Sequence, residues 1–262
     1  MVESLSFMMD VTFYLAAIPA VLLLGLAKGG FSGLGMVTLP LMALVVPPLQ
    51  GAAIIMPILM VQDFVSLWAY RRTWDRRILA MYLPGTIGGL LTGALLASYV
   101  SNAMVELMVG VIATAFVILH WLRKAPAKDE PPKQPRFGPA VFWGLLSGFT
   151  SFIANTGGVP FQAYTVPLRL PPIVYAGTST FLFICINWIK FALFVLLGQV
   201  SQSNLMISAT LLPVAVAATF LGVWLVKRME ASRFYGIVTT TTFILGLKLI
   251  WDGARDMGWL PF

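Results

Sequence analysis

Charged residues are scarce in this chain: Lys, Arg, Asp and Glu make up 10% of its 262 residues, against roughly a quarter in soluble domains. So few charges cannot cover a water-facing surface, and a soluble globular domain is excluded. Cysteine is scarcer still. Cys185 stands alone, which rules out an internal disulfide framework and any thiolate cluster. The single histidine, His120, sits beside Trp121 at the end of an apolar run and reads as a boundary residue rather than a ligand or base. No metal-ligand cluster and no nucleophile motif is present, and GGFSGLG lacks the strand and helix context of a dinucleotide loop. No catalytic residue, metal or cofactor is therefore expected, and a membrane-embedded enzyme is set aside.

What fills the sequence instead is apolar: 59% of it. Apolar runs near the ~20 residues that cross a bilayer as helix recur along the chain, so the protein reads as polytopic. Ten segments are expected, near 11–28, 31–46, 49–70, 78–97 and 104–122, then 138–150, 151–170, 173–198, 205–226 and 234–251. The second of each five is short and interrupted by Gly and Pro, so eight full spans and two broken or re-entrant ones fit equally well. The first run follows Glu3 and Asp10 rather than a basic region, and no small-residue cleavage site comes after it, which makes it a mature span. Between the fives runs RKAPAKDEPPKQPR, a Pro-rich charged linker with nothing to bury. The expected organisation is thus a first transmembrane repeat over 1–122, a cytoplasmic linker over 123–136 and a second repeat over 137–262.

The halves resemble each other. GLAKG at 25–29 matches GLLSG at 144–148, Pro47 and Pro48 match Pro171 and Pro172, and LPGTIGGLLTGALL at 83–96 matches LPVAVAATFLGVWL at 212–225. The offsets of 119, 124 and 129 drift while the order holds, which marks an internal repeat. Arg71, Arg72, Arg76 and Arg77 follow the third segment of the first half, whereas Lys227, Arg228 and Arg233 follow the fourth segment of the second. Cytoplasmic loops carry the basic excess, so a shift by one crossing means an inverted second copy, with both termini on the far side. The net charge of +7 is mostly this topology signal, and nucleic acid is not an expected partner. The fold expected is all-α: a polytopic transmembrane helical bundle of two inverted-topology repeats with broken or re-entrant helices.

Two stretches break the apolar pattern, KGGFSGLGMVTLP at 28–40 and NTGGVP at 155–160. Unpaired backbone is costly in hydrocarbon, so irregular backbone is expected where it is buried in protein or lines a polar cavity. Paired breaks at matching places of inverted repeats point to a transporter's binding site, and half-helix N-termini suit an anion. GLAKG, and Gly85, Gly89 and Gly93 at fourfold spacing, read as close packing. Ionisable residues inside spans normally face the interior, paired or functional. Gln62, Asp63 and Ser66 share one helical face, as do Asn187 and Lys190, and Asp63 corresponds to Asn187 and Ser66 to Lys190 at offset 124. An Asp63–Lys190 ion pair is expected, either structural or tied to substrate or proton. Lys28 neutralises an anion or extends to the cytoplasmic surface; Arg169, Lys248 and Glu106 read as interfacial.

These motifs carry a resemblance. G-x-x-x-G-G-x-x-G-x-G followed by Pro in the first half, and GG-x-P followed by PP and AGTST in the second, resemble the TauE/SafE family of sulfite exporters over nearly the whole chain. DFVSLWAYRRTWD and AGTSTFLFICINWIKFALFVLLGQ look like one bacterial branch of it, which often carries His where this sequence has Asn155. The resemblance implies a membrane carrier of sulfite, sulfonates or related small sulfur anions, most simply exporting by alternating access. The alternatives are a passive anion channel and an uptake permease for another small carboxylate or sulfonate. For such an anion Gly29, Gly30, Gly157 and Gly158 offer backbone N–H groups, and Asn155, Thr156, Gln162, Thr178 and Ser179 offer side-chain donors. Lys28 and Lys190 are the candidate cations, with Gln62, Asp63 and Asn187 beside them. The expected partners are a small anionic substrate and the lipid bilayer of a cell inner membrane, with small-residue stripes that serve internal packing or a homodimer.

Overall fold

The computed structural model describes residues 11–31, 34–46, 48–96, 99–122, 133–196 and 202–259. Gly33, Pro47 and linker residues 123–132 lie outside that set. The described residues form helices and no strand: α1 (Val11–Lys28), a 3-10 turn (Leu34–Val37), α2 (Thr38–Ala43), α3 (Pro48–Tyr70), α4 (Arg76–Leu96) and α5 (Asn102–Leu122). The second half supplies α6 (Phe137–Ala154), α7 (Gly158–Thr165) with a 3-10 turn (Val166–Leu168), α8 (Pro172–Leu196), α9 (Gln202–Arg228) and α10 (Ala231–Asp256). Eight of these helices are long and apolar enough to span a membrane. The expected segments 31–46 and 151–170 are the two that break: the first becomes a 3-10 turn and the six-residue α2, the second the end of α6 and the short α7. An all-helical, multi-pass membrane protein is what the composition called for. Large apolar side chains such as Leu15, Trp68, Leu95 and Ile244 point outward, as they do where the surroundings are lipid.

The chain forms two compact units, 1–74 with 179–229 and 75–178 with 230–262. Each draws helices from both halves of the sequence. In the first unit α9 lies against α1 and α3, and α2 joins them. Phe13, Ala17, Met42, Ile54, Ile58 and Leu211 form its apolar core. In the second, α4 pairs with α6 and α5 with α10, while α7 sits against α6 and α5. There the core is aromatic: Tyr82 meets Phe161 edge-on at 5.6 Å, and Tyr175 meets Phe161 at 5.6 Å and Phe234 at 5.4 Å.

Small residues set these pairings. With no solvent to expel, helices in lipid associate through close packing, and glycine lets two backbones approach. A Cβ at Gly29 would come within 2.5 Å of the Gly222 backbone, and one at Gly25 would strike Ala218, so α1 meets α9 through its GLAKG stretch. In the other unit a Cβ at Gly148 would run into the Thr86 carbonyl, and one at Gly89 into that of Leu145. The matched strings of the two halves thus occupy matching contacts, the first helix of one half on the fourth of the other. The packing expected of these glycines is what they do.

Gly89→Leu should therefore force α4 from α6 and destabilise by about 3 kcal/mol, the upper part of the range for overpacking. Gly88→Ala, one residue away with nothing but its own stretch of helix within 4 Å of the added carbon, should leave the melting temperature in detergent unchanged or raise it. Equal melting of Gly89→Leu and wild type would refute this account of the contact.

Candidate functional site

In the first unit the site begins with the way α1 stops. The last four carbonyls of a helix lack partners within it. Phe31 N–H donates to Leu26 O at 3.2 Å and Gly30 N–H to Ala27 O at 3.1 Å. Gly30 has φ 133°, a conformation that favours glycine. This is the bonding pattern of a Schellman motif, and it takes two of the four. The other two go to α3: Ser66 Oγ donates to Lys28 O at 3.0 Å, and the Tyr70 hydroxyl donates to Gly29 O. Asp63, Ser66 and Tyr70 follow one another at i, i+3 and i+7, so one stripe of α3 holds the end of α1.

Asp63 completes the stripe. Its Oδ1 accepts from Lys28 Nζ in an ion pair, and its Oδ2 accepts from Asn187 Nδ2 of α8 at 3.0 Å. The carboxylate is 2% exposed and the Lys28 side chain 12%, so Lys28 does not extend to a surface. The ion pair expected between Asp63 and Lys190 is corrected here: the partner is Lys28. The reason is the clamp, since Ser66 and Tyr70 fix the α1 terminus directly beside Asp63. Lys190 lies one turn beyond Asn187 on α8 and is buried. Gln62 is fully buried; its Nε2 donates to Ala215 O at 3.2 Å, and its Oε1 has no partner among the described residues. Ser179, near the start of the α8 portion in this unit, is also buried.

The remaining residues lie in the second unit. Asn155 ends α6 with φ 55°, and its N–H bonds to Thr150 O. Asn tolerates this left-handed conformation better than most side chains. Thr156 donates to Thr150 O from its N–H at 3.2 Å and from its hydroxyl at 3.4 Å. The Gly157 carbonyl accepts from Ser147 Oγ at 2.7 Å, and a Cβ at Gly157 would meet Ser147 and Ser151. Gly158 opens α7, whose eight residues are all buried and whose N-terminus has no side-chain cap. Gln162 Oε1 accepts from the Thr242 hydroxyl of α10. Thr178 is structurally engaged: its Oγ1 accepts the Asp75 N–H at 2.9 Å and donates to Val174 O at 2.7 Å.

The structure thus joins Lys28, Asp63 and Asn187 by direct bonds, sets Lys190 beside them on α8, and gathers half-buried Asn155 with buried Thr156, Gly157 and Gly158 in one turn. It gives Gly29 and Gly30 packing and termination roles. Tyr70 is the member that reading the chain left out, and the signal was its i+7 spacing from Asp63 in an otherwise apolar helix. With this geometry in hand, the comparison with known proteins is specific: residues 17–249 match the family described as Sulfite exporter TauE/SafE. This is the family to which the glycine and proline motifs pointed. No curated protein and no solved structure gives a significant match to the chain.

Asp63→Ala leaves Lys28 and Asn187 buried without their acceptor, and should cost about 3–5 kcal/mol of stability. The double change Lys28→Met with Asp63→Leu removes both charges and should recover most of that loss. Unfolding free energies of the three proteins in one detergent test it, and a harmless Asp63→Ala would mean that the pair does not hold the end of α1.

Proposed function

The chain belongs to the sulfite exporter TauE/SafE family, and from that premise we propose that it is a secondary carrier of a small sulfur-containing anion. Sulfite, a sulfonate or a related organosulfur anion is its cargo, moved outward by alternating access. The observation that carries the reading is the buried cluster of Lys28, Asp63 and Asn187, with Lys190 one turn along α8. Ionisable groups within spans are expensive and mark substrate pathways. Two ammonium groups and an amide donor suit an oxygen-rich anion, which takes several donors at once.

The turn at Asn155, Thr156, Gly157 and Gly158 is the second proposed element. The uncapped start of the buried α7 offers backbone N–H groups and the positive end of a helix dipole, with Gln162 one turn further in. Gly29, Gly30, Gln62, Thr178 and Ser179 complete the proposed set, the glycines and Thr178 by holding backbone in place. The two halves are proposed to be inverted repeats, a reading supported by the matching helix pairs α1 with α9 and α6 with α4. The bilayer is proposed to be a cell inner membrane, with Arg71, Arg72, Lys227 and Arg228 on the cytoplasmic face.

Flux of sulfite and organosulfonates into proteoliposomes tests the reading. Saturable uptake with counterflow is expected; unsaturable flux without counterflow would make the protein a channel. Lys190→Ala should lower flux about 30-fold or more, as removal of a buried charged contact costs ~2–5 kcal/mol. Asn155→Gly keeps the left-handed backbone while deleting the donor, and should also impair transport. Normal flux in both variants would sink the site assignment.

A further inference from the structure

We infer that this site selects its cargo by charge, taking a monoanion and rejecting a dianion. The inference rests on the carrier reading above and adds to it a rule that the fold itself writes. Leaving aside Lys227 and Arg228 in the exposed last turn of α9, the helices of the first unit carry one acidic side chain, Asp63, and two basic ones, Lys28 and Lys190. All three are buried or nearly so: Asp63 is 2% exposed, Lys190 8% and the Lys28 side chain 12%.

Asp63 places one oxygen on Lys28 and the other on Asn187. Lys28 is thereby neutralised where it stands, and the sum over the cluster is one positive charge. Lys190 has contacts of its own, and the sum is a matter of charge rather than of contacts. Every other polar side chain named around it, Gln62, Ser66, Tyr70 and Asn187, is neutral, and so is the nearby Cys185 thiol.

A buried site pays for any charge left unbalanced in apolar surroundings. Binding one negative charge brings the cluster to neutrality. Binding two leaves it negative by one. A sulfonate or hydrogen sulfite meets the first condition, whereas sulfate and thiosulfate meet the second. All of these anions are rich in oxygen or sulfur acceptors, so hydrogen-bond donors alone do not separate them. The charge sum does.

Influx of methanesulfonate and of sulfate into proteoliposomes under equal gradients tests it, with the full-length protein as wild type, as Asp63→Asn, and as the double variant Lys28→Gln with Asp63→Asn. Wild type should prefer methanesulfonate by at least about tenfold. Asp63→Asn raises the sum to two and should move the ratio toward sulfate by a similar factor. The double variant restores the sum to one and should move the ratio back, whatever its total flux. Sulfate flux equal to that of methanesulfonate in wild type overturns the inference, as does a double variant that keeps the single variant's preference. Should Asp63→Asn fail to fold, the wild-type ratio and the double variant decide. Saturable sulfite flux with a dianion preference sinks the inference alone; no flux for any of the three anions sinks the carrier reading and the inference together.

Discussion

A helix that ends among apolar neighbours must still find donors for its last four carbonyls, and α1 meets that demand in a way that organises its whole unit. Two carbonyls are closed by the chain's own turn through Gly30, and two by hydroxyls reaching across from α3. Because Ser66 and Tyr70 must lie over the terminus, Asp63 one turn earlier comes to face Lys28, and Asn187 comes to face Asp63. The glycines that precede the break, Gly25 and Gly29, then bring α1 flush against α9. One backbone requirement thus fixes a helix end, an ion pair and a helix–helix contact.

Much of this was readable from the chain. The spans follow from the length of apolar runs, and the two breaks from Gly and Pro clustered where no span should tolerate them. The packing role of Gly85, Gly89 and Gly93 follows from their fourfold spacing, which puts them on one helical face. The pairing of Asp63 was not readable. Offset 124 matches residues of the two halves in sequence, and a sequence match says nothing of distance; Lys28 and Lys190 were both candidates to face a carboxylate on α3. Only the bonds from Ser66 and Tyr70 to the α1 carbonyls decide between them. The partner of Thr178 was not readable for a similar reason: a hydroxyl in an apolar stretch looks like a ligand donor, and the Asp75 N–H that it accepts is a local need of the α4 terminus. Asp75 itself accepts from Arg77 and Ile78 N–H at 2.9 and 3.0 Å, which makes it the cap of that helix.

The matched strings GLAKG and GLLSG do different work in the two halves. GLAKG ends a helix, and the residue before its last glycine is Lys28, a cation held by Asp63. GLLSG runs on within α6, and the residue before its last glycine is Ser147, whose hydroxyl bonds the Gly157 carbonyl at 2.7 Å. A position that supplies charge in one half therefore shapes a backbone turn in the other.

The sign of the first unit's cluster depends on how the two halves differ at their matched positions. At the two aligned positions the first half has Asp63 and Ser66, and the second has Asn187 and Lys190. Had the second half kept the first half's pair, two carboxylates would face one Lys28, and the cluster would carry one negative charge and repel an anion. Had it changed Asp to Asn alone, the sum would be zero. Both differences together, an acid replaced by an amide and a hydroxyl replaced by an ammonium, turn the cluster positive by one while keeping a donor, Asn187, on the remaining carboxylate. In this chain it is the difference between the halves at these two residues that sets the sum at one positive charge, the balance the proposed anion site needs.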